Sequence, residues 1–222
     1  MIPVITIDGP SGSGKGTIAA RVAQKLGFRT LDSGALYRLV GHAVSKAAVS
    51  LDDLETISQI ARNLDVEFRT GQVFLGGEDV SKAIRSETAG NMASKVAAIP
   101  QVRAALLDWQ KAYAGPPGLV ADGRDMGTVV FPDAQVKIFL TASAEERAMR
   151  RYKQLKEKEI DANLADLTAE IEERDARDRN RSVAPLRPAV GAIEIDSTGL
   201  GIDEVVMRVL SLATKVWPDL AV

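Results

Sequence analysis

Short apolar runs alternate with longer amphipathic stretches along the 222 residues of this chain. Five of the runs are bounded by turn residues and have the length of strands; they lie at 3–8, 28–31, 119–121, 136–140 and 192–196. Between them, apolar residues recur every three or four positions, as on the buried face of a helix. Strands that alternate with helices predict an α/β fold, with a five-stranded parallel sheet flanked by helices.

One region departs from this alternation. Residues 66–69 and 72–75 alternate between apolar and polar positions, and Thr70-Gly71 between them are turn residues. This pattern predicts a β-hairpin. A hairpin inside an α/β chain indicates a small inserted subdomain, which we place at about residues 62 to 90.

The helical stretches carry their own start and stop signals. Pro100 separates helical patterns at 86–98 and 101–114, and we expect it to break them. Ser143 followed three residues later by Glu146 predicts a capping box at the start of another helix.

The loop after the first strand has the character of a phosphate-binding loop. It reads Gly9, Pro10, Ser11, Gly12, Ser13, Gly14, Lys15, Gly16 and Thr17. Glycines let backbone N–H groups turn toward a phosphate chain, the following helix adds partial positive charge, and Lys15 would reach the outer phosphates. The competing interpretation is an ordinary glycine-rich turn from strand to helix, but the full spacing in this context favours phosphate binding.

One position departs from the usual loop pattern. Gly16 stands directly after the lysine, where a Ser or Thr would bind Mg²⁺, and Thr17 follows one position later. The chain also contains no Asn-Lys-x-Asp sequence, which would read a guanine base. Both features disfavour a GTPase.

Polar residues gather where the predicted strands end. Ligands of parallel α/β sheets bind beyond the carboxyl ends of the strands. Those ends carry Asp8, Asp32-Ser33, the segment 122–125 and Asp196. The first three fit a phosphate-transfer site. Capping of local turns is the alternative for Asp32 and Ser33, and it is the interpretation we favour for Asp196.

A charged helix is predicted from about Thr168 to Arg181, after a weakly apolar connection at 156–166 that we expect to be mobile. Arg174, Arg177, Asp178 and Arg181 have the spacing of one helix face, where Asp178 could pair with its neighbours. A solvated face with i,i+4 ion pairs is the alternative. Beside a phosphate-binding loop, a lid that brings arginines to phosphates is favoured, because phosphoryl transfer gathers negative charge and needs water excluded.

Composition excludes several classes of site. The chain has no Cys, so disulfides and cysteine-bound metals are excluded. His42 is its single histidine, which disfavours histidine-based metal sites and triads. The net charge of −2 disfavours binding to a nucleic acid polymer. We see no basic and apolar leader and no apolar run long enough to span a membrane, so we expect a cytoplasmic protein without a membrane partner.

Five sequence blocks in this order resemble the bacterial cytidylate kinase family, and the resemblance covers nearly the whole chain. The blocks lie at 9–17, 31–38, 96–103, 121–132 and 174–181. The resemblance implies a P-loop NTPase fold with a monophosphate-binding insert, which contains a small antiparallel sheet, and a helical lid. It implies one domain, with its core at about 1–35, 96–145 and 184–222, its monophosphate-binding region at about 36–95 and its lid at about 146–183.

The resemblance also implies an activity, which is transfer of the γ-phosphoryl group of ATP to CMP or dCMP, with Mg²⁺, by a monomer. The implied ATP site is the loop 9–17. The implied CMP site comprises Ser33, Arg38, Ser94, Arg103, Arg124, Asp125, Arg174, Asp178 and Arg181. Catalytic roles would fall to Lys15, Arg124, Arg174 and Arg181. No direct protein ligand to Mg²⁺ is implied, since nucleotide oxygens and waters would hold it, with Thr17 and Asp8 as candidates for orienting those waters.

Within this set, Ser33, Arg103 and Asp125 would read the cytosine. Arg38, Arg124 and Arg181 would hold the acceptor phosphate or the transferred group, and Ser94, Arg174 and Asp178 would contact the sugar. Two other functions stay open, namely a kinase for UMP, AMP or shikimate, and a noncatalytic nucleotide-binding switch. The cytosine-reading set disfavours the first, and the arginine-rich lid disfavours the second.

Overall fold

The computed structural model describes residues 2–69, 72–157 and 159–220. Its strands are β1 (Val4–Asp8), β2 (Arg29–Asp32), β3 (Val66–Arg69), β4 (Gln72–Leu75), β5 (Glu78–Asp79), β6 (Leu119–Gly123), β7 (Val136–Thr141) and β8 (Ile193–Asp196). Its helices are α1 (Lys15–Leu26), α2 (Ser33–Lys46), α3 (Leu54–Arg62), α4 (Glu87–Val96), α5 (Pro100–Ala112), α6 (Ala144–Lys156), α7 (Leu164–Arg179) and α8 (Ile202–Val216). A 3₁₀ turn at Ala83–Arg85 and a single π-helical turn at Met126–Val130 complete the described elements.

Two compact units make up the chain. Residues up to Asp32 and from Tyr113 onward form the first, which we call the sheet unit, and residues 33–112 form the second, which we call the insert unit. In the described part of both, no helix has the length and apolar character needed to cross a membrane.

The sheet unit is built on a parallel sheet in the order β2-β6-β1-β7-β8. Every pairing is parallel, which confirms the predicted architecture. The central strand β1 is buried along its whole length. The register aligns Asp32 with Asp122 and Asp8 with Gly123, so three neighbouring strands end together at one edge. Because β6 continues two residues beyond its predicted end, Asp122 lies within the strand rather than in a following turn.

Apolar packing against both helices that flank this sheet holds the unit together. Ile5 of β1, Val22 of α1 and Val209 of α8 are fully excluded from solvent within one cluster. Burial of each such side chain contributes about 1.5–3 kcal/mol relative to exposure. The predicted buried face of α8 is confirmed at its centre, but Ile202 and Val216, at its two ends, are exposed.

The insert unit contains the predicted hairpin. Strands β3 and β4 pair antiparallel, and the short β5 adds a third strand. The predicted turn at 70–71 lies outside the described residues. The helical patterns on either side of Pro100 are separate helices, α4 and α5, as predicted. Pro100 is itself the first residue of α5, a position where the missing proline N–H costs nothing.

The charged helix differs from its predicted bounds. Its side-chain cap is Asn163, whose oxygen accepts from the N–H of Ala165 at 2.8 Å, so α7 begins four residues before Thr168. Leu167 is buried in an apolar cluster between α6 and α7. This packing extends the helix toward its N-terminus. The helix ends at Arg179, so Arg181 lies outside it.

Candidate active site

The loop between β1 and α1 has the glycine requirements of a tight phosphate-binding turn. A Cβ at Gly9 would lie 2.0 Å from the carbonyl oxygen of Leu140 on β7, so a larger residue does not fit there. Gly12 has a left-handed φ of 75°, which glycine adopts readily. The predicted strand, loop and helix are therefore confirmed, and packing against β7 fixes the path of the chain.

Lys15, the first residue of α1, folds back into this loop. Its Nζ donates to the carbonyl oxygen of Pro10 at 2.7 Å, and the Oγ of Ser13 donates to the same oxygen at 3.0 Å. Burial lowers the pKa of Lys15 to about 7, together with the positive charges of Arg124 and Arg174 and against the opposing effect of Asp122. A buried amine beside two guanidinium groups makes this loop a site for a negatively charged ligand.

Asp122 belongs to the segment 122–125, which the sequence places at a phosphate-transfer site without giving this residue a role of its own. Burial and the neighbouring charge of Asp32 raise its pKa to about 8, while Lys15 and Arg124 act in the opposite direction. Its Oδ2 lies 3.6 Å from the position that a Cβ on Gly16 would take, so the carboxylate lies against the first turn of α1. Its position at the carboxyl end of β6, beside the strand that leads into the loop, is the signal that placed the segment there.

Asp8 has a structural partner at the same edge of the sheet. Its two carboxylate oxygens accept from the N–H groups of Met126 at 2.8 Å and Gly127 at 2.7 Å. Burial raises the pKa of Asp8 to about 7, against the opposing effect of these two bonds. Asp8 therefore anchors the π-helical turn that follows β6, in addition to any effect on bound water.

Three arginines surround Asp178 of α7. Arg124 donates from Nε to this carboxylate at 2.9 Å, and Arg181 donates to its other oxygen. Burial by itself would raise the pKa of Asp178, but Arg124, Arg181 and Arg174 outweigh burial and hold it below the usual value. The predicted pairing of Asp178 with Arg181 is confirmed, and the Arg124 contact adds a link from the end of β6 to α7.

The predicted common face of the charged helix is only partly correct. Arg177 pairs with Glu173, which is largely exposed, at 2.5 Å. This contact is the solvated i,i+4 ion pair of the alternative interpretation. Asp178 and Arg181 are instead buried, so the structure separates the environment of Arg177 from that of these two residues.

We expect the Asp178→Asn variant to lose about 3 kcal/mol of stability, because three guanidinium groups would then share no carboxylate. Its Tm should fall by roughly 6–12 °C in a calorimetric scan at pH 7. Because the pKa of Asp178 is lower in the folded state than in the unfolded state, its carboxylate stabilises the fold at pH values above the unfolded pKa of about 3.9. This stabilisation is lost as the pH falls through the folded pKa. The difference from the unmodified protein should therefore shrink below about pH 4.

Glu173→Gln provides the matched control for Asp178→Asn. It removes a carboxylate from the same helix, but from an exposed pair, so Tm should change by less than about 2 °C. Equal Tm values for the two variants would contradict a stabilising role for the buried cluster.

The remaining predicted residues occupy the insert unit. Arg38 of α2 donates to the carbonyl oxygens of Ile84 at 2.7 Å and Ser86 at 3.1 Å. Arg103 of α5 donates to the carbonyl oxygen of Ala97 at 3.2 Å. Its guanidinium carbon lies 5.4 Å from the centroid of the Tyr37 ring. Backbone carbonyls therefore orient both arginines of the insert unit, and the Tyr37 ring also contacts Arg103.

Three further members of the predicted set are small or acidic and buried. Ser33 is the first residue of α2 and Ser94 lies in α4, both in the insert unit. Asp125 follows β6 in the sheet unit and is also buried. The predicted set is thus divided between units, and each unit contains buried polar groups able to bind a ligand.

Comparison with known proteins extends these observations to the whole chain. The family model described as cytidylate kinase matches residues 5–215. A cytidylate kinase of Stutzerimonas stutzeri is 62% identical over 216 residues, covering 95% of this chain and 94% of that protein. The cytidylate kinase of Aeromonas hydrophila subsp. hydrophila is 56% identical over 225 residues, covering 100% and 98%. A phosphate-binding loop, a buried lysine and an arginine cluster thus occur in a chain that matches these proteins almost end to end, and the chain belongs to the cytidylate kinase family.

Proposed function

We propose that this protein transfers the γ-phosphoryl group of ATP to CMP or dCMP, giving ADP and CDP or dCDP. The observation that carries the proposal is the near full-length match to cytidylate kinases, in a chain whose phosphate loop holds Lys15 close to Arg124 and Arg174. The loop 9–17 would bind the triphosphate. Lys15 would regain its full charge beside the outer phosphates, where charge accumulates during transfer.

We infer that Ser33, Arg103 and Asp125 read the cytosine. The exocyclic amine of cytosine is a donor, which Asp125 and Ser33 could accept, and Arg103 could donate to the ring oxygen or nitrogen. UMP carries a carbonyl where CMP carries that amine. A carboxylate at this position would therefore disfavour UMP.

The other proposed contacts divide between phosphate and sugar. Arg38, Arg124 and Arg181 would hold the acceptor phosphate or the transferred group, while Ser94, Arg174 and Asp178 would contact the ribose. The hydrogen bonds from Arg124 and Arg181 to Asp178 support a role for this carboxylate in orienting the arginines. The acceptor phosphate is already an anion, so no general base is needed, and catalysis would rest on positioning and charge stabilisation.

A Mg²⁺ ion carried by ATP would supply charge neutralisation on the phosphate oxygens. In the part of the chain that the structure describes, no three or more His, Cys, Asp or Glu side chains are grouped as direct metal ligands. The buried carboxyl groups of Asp122 and Asp8, with pKa values raised to about 8 and 7, fit a nearby cation because it would favour their charged forms. We propose that they and Thr17 orient the water around the ion.

A coupled ADP-release assay tests the proposed reaction. With ATP and Mg²⁺, the protein should turn over CMP and dCMP rapidly and UMP weakly, when each is offered separately beside AMP and shikimate. Preference for another acceptor would keep a P-loop kinase but overturn the cytosine assignment. Folded protein that binds ATP without turnover of any acceptor would favour the noncatalytic switch.

Proton uptake tests the electrostatics of the phosphate loop. Because burial and Arg124 lower the pKa of Lys15 to about 7 before ATP binds, most of this amine is neutral at pH 8. Binding of metal-free ATP should restore its charge and take up close to one proton, with Asp122 acting in the same direction. Titration calorimetry in buffers of different ionisation enthalpy measures this uptake, which should diminish toward pH 6.

Lys15→Gln is the control for the calorimetric experiment. Its proton uptake at pH 8 should be well under half that of the unmodified protein, provided that ATP is supplied at saturating concentration. Unchanged uptake in this variant, or proton release in the unmodified protein, would contradict the assignment to Lys15.

We also infer a monomer that acts on two small nucleotides in the cytoplasm, without a nucleic acid polymer or a membrane as partner. A monomer has the 23.7 kDa mass of one chain, which light scattering measures directly.

A further inference from the structure

A second buried ion pair lies apart from the Asp178 cluster. Arg147 of α6 and Asp175 of α7 are each about 3% exposed. The two side chains meet through two bonds, with Nη1 donating to Oδ1 at 3.2 Å and Nη2 donating to Oδ2 at 2.6 Å. This forked geometry fixes both groups in direction as well as in distance.

The same guanidinium group also bonds two backbone segments. Its Nε donates to the carbonyl oxygen of Ala142 after β7 at 2.9 Å, and Nη1 donates to the carbonyl oxygen of Ser11 in the phosphate loop at 3.0 Å. The Cβ of Arg147 lies 3.3 Å from where a Cβ on Gly12 would be, so α6 packs directly against the loop. One side chain therefore joins α7, the end of β7 and the phosphate loop.

The contact with Ser11 has a geometric consequence. In a planar trans peptide, the C=O of one residue and the N–H of the next point in opposite directions. By holding the carbonyl of Ser11, Arg147 also sets the direction of the N–H of Gly12. That N–H is one of the backbone donors on which a phosphate loop depends.

At its other end the pair sets the position of α7. Asp175 directly follows Arg174 and lies one turn before Asp178. Apolar contacts among Ala148, Leu155 and Leu167 already pack α6 and α7 together, so adhesion of the two helices does not depend on the ion pair. Buried ion pairs are weak sources of net stability, and fixing register is their best attested use.

We propose that Arg147 and Asp175 form a clamp that sets the direction of the Ser11–Gly12 peptide and the register of α7 together. Both are positioning residues. ATP affinity then depends on Asp175 through Arg147 and the loop backbone. The position of Asp175 on α7 also couples the loop to Arg174 and Asp178. The part that concerns ATP rests on the proposed function, whereas the coupling of loop and helix does not.

Amide hydrogen exchange on Asp175→Asn tests the coupling without reference to activity. The amides of 12–15 should exchange at least tenfold faster than in the unmodified protein, although Asp175 is remote from them in sequence. Titration calorimetry with ATP alone should show at least a tenfold weaker Kd, and steady-state kinetics should show a rise in KM for ATP. Glu173→Gln, which removes an exposed carboxylate from the same helix, should change each quantity less than twofold.

A purely structural role would give a different result. Asp175→Asn would then lower Tm, but the folded protein would keep the unmodified loop exchange rates and ATP affinity, and this outcome would overturn the clamp. Arg147→Lys is the second variant, because a lysine keeps the charge opposite Asp175 but cannot serve Ser11, Ala142 and Asp175 together. It should show intermediate exchange rates, and unmodified rates in this variant would also overturn the clamp.

The unmodified protein supplies a measurement that depends on no variant. Native-state exchange should give the amides of 12–15 and of 172–178 the same opening free energy, with both segments slowed together by ATP. Independent opening of the two segments would refute the coupling. Absence of turnover with CMP, in contrast, would count against the proposed reaction and leave the exchange result intact.

Discussion

Replacing Lys15 by methionine should lower kcat/KM for ATP by about a thousandfold, measured with saturating CMP in a coupled assay. Removal of one preorganised charge stabiliser costs about 10²–10³ in rate, and Lys15 is also expected to bind the ground-state triphosphate. Methionine has a similar length and leaves no buried amine, although it gives up the hydrogen bond from Nζ to the carbonyl oxygen of Pro10.

The stability of this variant should move in the opposite direction. Burial and Arg124 lower the pKa of Lys15 to about 7 in the folded state. Below about pH 10 the unfolded state therefore binds the lysine proton more tightly than the folded state does, which lowers the free energy of unfolding. Removing the amine eliminates this destabilisation, and Tm at pH 7 should stay level or rise. Lys25→Met, at the exposed C-terminal end of the same helix, should leave kcat/KM unchanged. Near-normal turnover of the Lys15 variant would refute the phosphate-loop assignment.

Replacing Asp125 by asparagine should lower kcat/KM for CMP by about a hundredfold, with the KM for ATP changing less than threefold. A hydrogen bond to a charged group contributes about 1.5–3 kcal/mol, and an amide nitrogen turned toward the cytosine amine would place two donors against each other. The same amide could donate to the carbonyl of uracil, so UMP should lose much less activity. Measuring both acceptors at equal ATP gives the CMP/UMP preference directly.

Asp133→Asn is the matched control for the Asp125 variant. Asp133 lies just beyond the π-helical turn and is exposed, so its replacement should alter neither acceptor's kcat/KM by more than twofold. A CMP/UMP preference in the Asp125 variant equal to that of the unmodified protein would remove Asp125 from base recognition.

Local patterns in the sequence predicted most of the fold correctly. The parallel sheet, the loop that begins α1 and the hairpin of β3 and β4 all depend on short-range periodicity and glycine placement, which the sequence displays directly. Helix ends were less well predicted where tertiary packing decided them. The burial of Leu167 against α6 accompanies the extension of α7 toward its N-terminus. Leu164, Leu167 and Ile171 have the spacing of one apolar helix face there, a signal that the prediction did not use.

The sequence by itself determined the phosphate loop, the alternation of strands and helices and the family, because these depend on residues close together in the chain. Only the tertiary structure decided which charges meet. Arg124 lies 54 positions from Asp178, and Arg147 lies 28 positions from Asp175 and 136 from Ser11. The end of β6 brings Asp122 against the first turn of α1 in the same way. Periodicity carries no information at such separations, since the contacts arise from strand order in the sheet and from helix packing on its edge.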